Sequence, residues 1–209
     1  MKFALLCVAL IAGASAQFSS TAQTAIVKAH NDLRSQIALG NYADGGSEMP
    51  TAANMRKLKW DTTVAASAQK YANTCPTDHS GYPDLGENLY WYWSTSSPTS
   101  LDSFGVAAAK SWQQEFVDYG WSSTTLDQDT FDSGIGHATQ MAWALTSKIG
   151  CGVKACGRDA TMNNMYRVSV VCQYSEQGNM MDSDIYQPGD TCSFCQAGSS
   201  CETATGLCA

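Results

Sequence analysis

An α+β layered sandwich carrying a small disulfide-rich tail is the fold class this sequence predicts, on three observations. Helical and strand-like patterns are interspersed along the chain without a regular strand–helix–strand repeat, which disfavours a doubly wound parallel sheet. Eight cysteines follow what reads as a secretory signal, so an oxidising compartment and four disulfides are expected. From about Asp182 the composition turns to Gly, Ser, Thr, Asp and Cys, a segment too poor in apolar residues to build its own core.

The signal comes first. Lys2 is its charged start, Phe3 to Ala12 its apolar run and Ala14-Ser15-Ala16 its small-residue cleavage site, so the protein is expected to be secreted and extracellular. That run is too short to span a membrane, and no later stretch approaches the length needed. The expected organisation is therefore a signal over 1–16, a main domain over 17–181 and a cysteine-rich tail over 182–209.

Within the main domain, Ser20-Thr21-Ala22-Gln23 reads as a capping box and Gly40 as the stop of the helix it opens. Ala22, Ile26, Ala29, Leu33 and Ile37 recur between them at helical spacing. A loop rich in Gly, Ser, Asn and Pro follows over 41–50. Asp61 then caps a second helix through Val64, Ala68, Tyr71 and Cys75. Asn88 to Trp93, dense in aromatics, reads as a strand, and Ser100 opens a third helix reaching about Gly120. On that helix Ala108, Trp112, Glu115, Phe116 and Tyr119 share one face. Two late strands are expected at Ile149–Lys154 and Tyr166–Tyr174. In the tail, the CxxC pair Cys192 and Cys195 has no histidine beside it, so disulfides with Cys201 and Cys208 are favoured over a zinc knuckle.

Charge narrows the function. The chain holds 12 Lys and Arg against 19 Asp and Glu, a formal net charge of −7, and loses one more positive charge if Lys2 leaves with the signal. That balance argues against nucleic acid or an anionic membrane surface as an electrostatic partner, and it is compatible with cation binding. No Asn-x-Ser/Thr sequon is present, so N-glycosylation is not expected.

The candidate chemistry gathers around two histidines and two glutamates. Gly136-His137-Ala138-Thr139-Gln140-Met141-Ala142-Trp143 follows a Gly-x-Gly turn and reads as a short helix with His137 in its first turn. The positive end of the helix dipole there favours a neutral, ligand-competent ring; the plainer reading of a lone histidine among aromatics is packing. Glu115 falls on the stripe of Trp112 and Tyr119, where a carboxylate needs a histidine, a metal or backbone donors; otherwise it is a helix-edge glutamate reaching water. Glu87 opens the aromatic strand, and His79 precedes it by eight residues in a loop held by Gly, Pro and the nearby Cys75. The four could converge on one polar cleft, the carboxylates orienting rings that bind a divalent cation such as zinc. His30, on the apolar face with Ile26, Leu33 and Ile37, reads as a core histidine.

Four stretches, in order, resemble the CAP superfamily of cysteine-rich secretory proteins, antigen 5 and pathogenesis-related proteins. They are His30-Asn31-Asp32-Leu33-Arg34, Gly86-Glu87-Asn88-Leu89, Gly136 to Trp143, and Val170 through Cys172-Gln173-Tyr174-Ser175-Glu176-Gln177-Gly178 to Asn179. The resemblance covers nearly all of the chain after the signal and is nearest the Ancylostoma-secreted-protein or venom-allergen-like group of parasitic nematodes, single-domain type. It implies a three-layer α-β-α sandwich whose central cleft is lined by His79, Glu87, Glu115 and His137, with His79 and His137 as zinc ligands and the glutamates in support. It also implies the disulfides Cys75–Cys156, Cys151–Cys172, Cys192–Cys201 and Cys195–Cys208. Two departures stand out. Ala138 replaces an aromatic frequent in relatives, which is expected to widen the cleft floor, and Glu176 replaces a frequent proline. The tail resembles the hinge of longer members without their ion-channel-directed domain.

Three functional classes follow. A binding protein is favoured, taking a divalent cation and, as the resemblance implies, a sterol or fatty acid. In sterol-binding relatives the loop before GHxTQ contributes, and Tyr119, Trp121 and Phe131 stand in it here among Asp127, Asp129 and Asp132. A scaffold that engages host proteins as a parasite effector or antigen is the second reading. The third is a metal-assisted hydrolase or protease using Glu87, Glu115 and His137, opposed by the lack of HExxH, GxSxG or a free thiol nucleophile. The host partner and the oligomeric state, a homodimer included, stay open at this level.

Overall fold

A computed structural model of the chain describes residues 18–43 and 49–209. The expected signal, residues 1–16, lies outside them. In chain order the elements are α1 (Ser20–Ala38), β1 (Lys59–Trp60), α2 (Thr62–Ala72), β2 (Gly86–Ser94), α3 (Asp102–Tyr119), β3 (Thr125–Leu126), α4 (Gln128–Asp132), α5 (Gly136–Ala142), β4 (Lys148–Asp159), β5 (Met165–Ser175), β6 (Ser183–Asp184), β7 (Cys201–Glu202) and β8 (Leu207–Cys208).

The central sheet has the order β1-β4-β5-β2, with β1 parallel to β4 and the other pairs antiparallel. Helix α2 covers one face, packed on β4 and β5, while α1, α3 and α5 pack on one another over the other face. This is a three-layer α-β-α sandwich. Its two faces are covered unequally. The α1/α3/α5 side holds the main core, with Ile26, Trp112, Phe116, Val170 and Tyr174 among its buried members. Under α2 lies a small cluster of Ala68, Ala72, Leu89 and Val171. Glycines explain how α2 sits so close: a Cβ at Gly150 would lie 2.0 Å from the Ala65 amide nitrogen, and one at Gly152 would lie 2.3 Å from Gln69 Cα.

Several boundaries differ from the sequence expectation, each for a local reason. Helix α1 is capped by Ser19, whose side chain accepts from the Ala22 amide, one residue earlier than the capping-box reading. Ser19 in turn donates to the Asp102 carboxylate at 2.6 Å, and that contact joins the start of α1 to the start of α3. Helix α3 accordingly begins at Asp102 rather than Ser100. Helix α2 keeps its Asp61 cap but stops at Ala72, and Cys75 lies in a left-handed conformation beyond it. Strands β4 and β5 run longer than their apolar runs because they form one hairpin, bulged between Ala155 and Gly157.

Two buried polar residues of α1 tie the layers together. Arg34 is fully buried and donates to the carbonyls of Arg56, Met141, Trp143, Ala144 and Thr146, gathering the end of α5 and its exit loop around one guanidinium. His30 is also fully buried, with Nδ1 2.9 Å from the Ile26 carbonyl and Nε2 2.9 Å from the Tyr174 hydroxyl. A carbonyl can only accept, so Nδ1 carries the proton and Tyr174 donates to Nε2. Burial, the leading cause, lowers the His30 pKa to about 4 despite the Ile26 bond, which keeps the ring neutral.

The disulfides are Cys75–Cys156, Cys151–Cys172, Cys192–Cys201 and Cys195–Cys208. The tail contributes Ile185, Tyr186 and Leu207 to the main core. Its strand end docks through the Cys208 amide to the Met55 carbonyl and the Lys57 amide to the Cys208 carbonyl, both 2.8 Å. The tail thus borrows a core from the sandwich it is attached to. Among the described residues no helix is long and apolar enough to cross a membrane.

Candidate metal-binding cleft

Glu87 and Asn88 are neighbours on β2, so their side chains project to opposite faces of the sheet. Each reaches a different histidine. On the α2 side, Glu87 Oε1 lies 3.1 Å from His79 Nδ1 and accepts from the Ser80 amide at 2.8 Å, while its Oε2 accepts from Gln173 at 2.8 Å. On the other side, Asn88 Nδ2 donates to the His137 carbonyl at 3.0 Å and lies 3.2 Å from the Tyr174 hydroxyl. The cleft therefore straddles the β2 edge of the sheet, and one strand holds both halves.

The second pair is built from helices. Glu115 on α3 directs Oε1 to His137 Nδ1 at 2.6 Å, and its Oε2 accepts from the amides of His137 and Ala138 at 3.0 and 3.1 Å. Those amides belong to the first turn of α5, where helix N–H groups have no partner of their own. Trp112, one turn before Glu115, stacks on the His137 ring at 6.0 Å and 14°. Glu115 thus takes the alternative in which a carboxylate facing the core meets a histidine and backbone donors. Tyr119, expected on the same stripe, is instead 61% exposed.

His79 lies in the loop between α2 and β2. The Cys75–Cys156 disulfide, the Trp91 indole donating to the Pro76 carbonyl and the Tyr71 hydroxyl donating to the Asp78 carbonyl hold that loop. Its ring is about half exposed, and the Glu87 hydrogen bond raises its pKa above the ordinary value in spite of partial burial. Burial pushes the Glu87 carboxyl up, but hydrogen bonds from His79, Ser80 and Gln173 outweigh it and bring the pKa below the usual value.

His79, Glu87, Asn88, Phe131, His137 and Asn179 line a shared cleft of about 250 Å³. It adjoins a larger depression of about 440 Å³ along Ser80–Glu87 and Gln177–Asn179. Close approach shapes the floor: a Cβ at Gly86 would sit 1.9 Å from Gln140 Oε1, which accepts from the Gly178 amide. Asn179 donates to the Gly136 carbonyl at 2.7 Å and closes the cleft behind α5.

The donor chemistry suits a cation held by imidazole. Each histidine has Nδ1 engaged by its own carboxylate, which leaves Nε2 as the ring nitrogen that could hold a cation, and each carboxylate has both oxygens hydrogen-bonded. The glutamates are thereby placed to orient rings rather than to ligate. Among the described residues the only three His, Cys, Asp or Glu ligand atoms within 4.8 Å of one another are Cys192, Cys195 and Cys208, and all three are disulfide-bonded. A cation between His79 and His137 would complete its coordination with water or ligand.

One sequence expectation needs correction. Ala138 does not form the cleft floor: its side chain is buried in the main core, and only its amide serves the site. Of the three loop aromatics, Trp121 is buried and stacked on Phe116 at 4.1 Å, Tyr119 faces out, and Phe131 alone lines the cleft. Sequence reasoning misses the roles of Asn88, Gln173, Tyr174 and Asn179. All four sit inside the quoted motifs, but their polarity alone does not say which group each meets.

The chain matches the cysteine-rich secretory protein (CAP) family over residues 27–174. It is 38% identical to the Ancylostoma secreted protein of Ancylostoma caninum, over 86% of this chain and 42% of that protein. To human (Homo sapiens) cysteine-rich secretory protein 2 it is 33% identical, over 83% of this chain and 64% of that one. It thus spans about two fifths of the first relative's length and somewhat under two thirds of the second's. Among solved structures, NaASP2 crystallised with Zn2+ superimposes with a TM-score of 0.80 at 36% identity, covering 92% of this chain and 97% of that one. BmVAL-1 superimposes with a TM-score of 0.82 at 35% identity, covering 91% and 95%. The chain belongs to the cysteine-rich secretory protein family.

Proposed function

We propose that this chain is a secreted binding protein whose cleft takes a divalent cation, zinc foremost, on Nε2 of His79 and His137. The observation that carries the reading is the pairing of each Nδ1 with its own carboxylate, Glu87 or Glu115, an arrangement that fixes ring orientation and raises ligand basicity. The Zn2+ in the NaASP2 structure supports the choice of ion. When bound, the ion supplies a cationic anchor for a carboxylate or carbonyl group of a ligand entering the cleft.

The occupied carboxylates also weigh against the hydrolase alternative. A glutamate acting as general base directs a carboxylate oxygen at substrate, and the oxygens of Glu87 and Glu115 are directed instead at histidine, backbone amides or Gln173, which leaves only a histidine Nε2 for that role. We therefore read the protein as a parasite effector or antigen of the venom-allergen-like kind that engages a host factor. A sterol or fatty acid is a secondary ligand of the same surface, supported only by Phe131 at the cleft and the exposed Tyr119.

The test is a zinc titration by calorimetry near neutral pH. Wild type is expected to bind one ion saturably, and the His79→Ala/His137→Ala double variant is expected to bind none. Unchanged binding in the double variant would remove the cleft assignment.

A further inference from the structure

The edge of the sheet opposite the cleft carries a second concavity, about 350 Å³, between β1, the start of β4 and the tail segment Gln196–Ser199. Arg56, Lys57, Lys59 and Lys148 line it, with Asp61 the one acidic side chain among them. A chain of net charge −7 with 12 cationic side chains thus commits a third of them to one groove.

The register makes this concentration unfavourable for folding. Strand β1 pairs with β4 so that Lys59 stands directly beside Lys148, both exposed. Like charges facing across paired strands destabilise a sheet, and the cost persists where function requires the charges. Neutralisation is incomplete. Lys57 is held by Glu202 of the tail at 2.7 Å, Arg56 by Glu176 at 3.1 Å, and Lys148 only reaches Asp61 at 3.6 Å. Lys59 makes no ion pair among the described residues, although it acts on Glu202 at longer range.

From this groove we propose a second binding site, for a linear sulfated polysaccharide. Sulfate esters stay anionic at every physiological pH, and lysine ammoniums meet them as unhindered point charges. Gln196, Ser147 and Ser199 offer amide and hydroxyl partners along the same walls for sugar hydroxyls. The concave shape selects a slender chain over a flat bilayer. The negative charge of the remaining surface repels an anionic membrane before the lysines can touch it, whereas a single chain enters between the tail and the sheet.

The experiment measures binding of a size-fractionated heparin oligosaccharide to the disulfide-intact protein at low and physiological salt. Wild type is expected to bind, more weakly as salt rises, and Lys59→Glu/Lys148→Glu is expected to bind about tenfold or more weakly on the Coulomb scale of surface contacts. Neither lysine holds a core contact, so this variant is expected to stay folded, with a modestly lower melting temperature from the lost Lys148–Asp61 pair, and to keep its zinc titration, which separates the groove from the cleft reading. A control, Lys70→Glu/Lys110→Glu, reverses two exposed helix lysines outside the groove and is expected to bind like wild type. Equal losses in the two variants would overturn the site in favour of bulk charge. Absence of heparin binding would overturn it outright, as would binding to phosphatidylserine vesicles alone.

Discussion

The two histidine–glutamate pairs of the cleft look alike in composition and differ in construction. His137 and Glu115 stand on two packed helices, and the carboxylate that orients the ring also caps the helix bearing it. His79 stands in a loop, about half exposed, and depends on a disulfide and two loop hydrogen bonds to meet Glu87 at the strand edge. One half of the cleft is therefore inseparable from the fold, while the other is a fitted loop. Site and stability should be coupled on the first side and separable on the second.

The largest expected effect tests that coupling directly. Glu115→Ala leaves two α5 amides and the His137 ring without their acceptor, and is expected to cost about 4 kcal/mol of stability along with zinc binding. Glu87→Ala is expected to weaken zinc about 10- to 100-fold while costing about 2 kcal/mol. Chemical denaturation of both variants beside their zinc titrations decides the matter. Equal stability losses would erase the distinction.

Next comes pH. His30 supports the His137 half through Tyr174 and Asn88, and its pKa is lowered from 6.5 to about 4 in the folded protein. Between those values the unfolded chain binds a proton that the folded chain refuses. This contribution to stability is therefore fully present above pH 6.5 and is lost as pH falls toward 4. The loss amounts to about 3 kcal/mol. In His30→Gln the urea-denaturation profile is expected to flatten over that window. A slope equal to wild type would show that the acid response lies elsewhere.

The smallest effect sharpens the loop side. Tyr71→Phe removes the hydroxyl that holds the Asp78 carbonyl beside His79. It is expected to cost about 1 kcal/mol or less and to weaken zinc a few-fold through a looser His79. A variant with unchanged zinc affinity would mean that the disulfide and the Trp91–Pro76 hydrogen bond position the ring without it.

Much of this molecule is legible in the order and spacing of its residues. The amphipathic spacing of α1, the Asp61 cap and the aromatic run of β2 mark their elements because helix and strand periodicity are local properties. The layered α+β class follows from their order. His30 is legible as a core residue, since it shares a face with Ile26 and Leu33. Glu115 is legible as an anomaly because a carboxylate three residues after Trp112 needs a partner. The wiring is not legible: that Glu87 and Asn88 divide the two histidines between them, that Tyr174 is the link to His30, or that Lys59 meets Lys148. Apart from His79 and Glu87, eight positions apart, these are contacts between residues far apart along the chain, set by strand register and by which face of the sheet a side chain leaves from.

By itself, then, the sequence determined the element types and the layered class, because these rest on spacing within one segment and on segment order, and it singled out four polar residues whose sharing of a cleft rested on motif resemblance. Tertiary structure alone decided that the cleft straddles the edge strand, that each carboxylate meets its histidine at Nδ1 with its other oxygen bound elsewhere, and that the opposite sheet edge gathers four cations into one groove. Register and layer packing bring distant residues within hydrogen-bonding reach, and no pattern along a single segment carries that information.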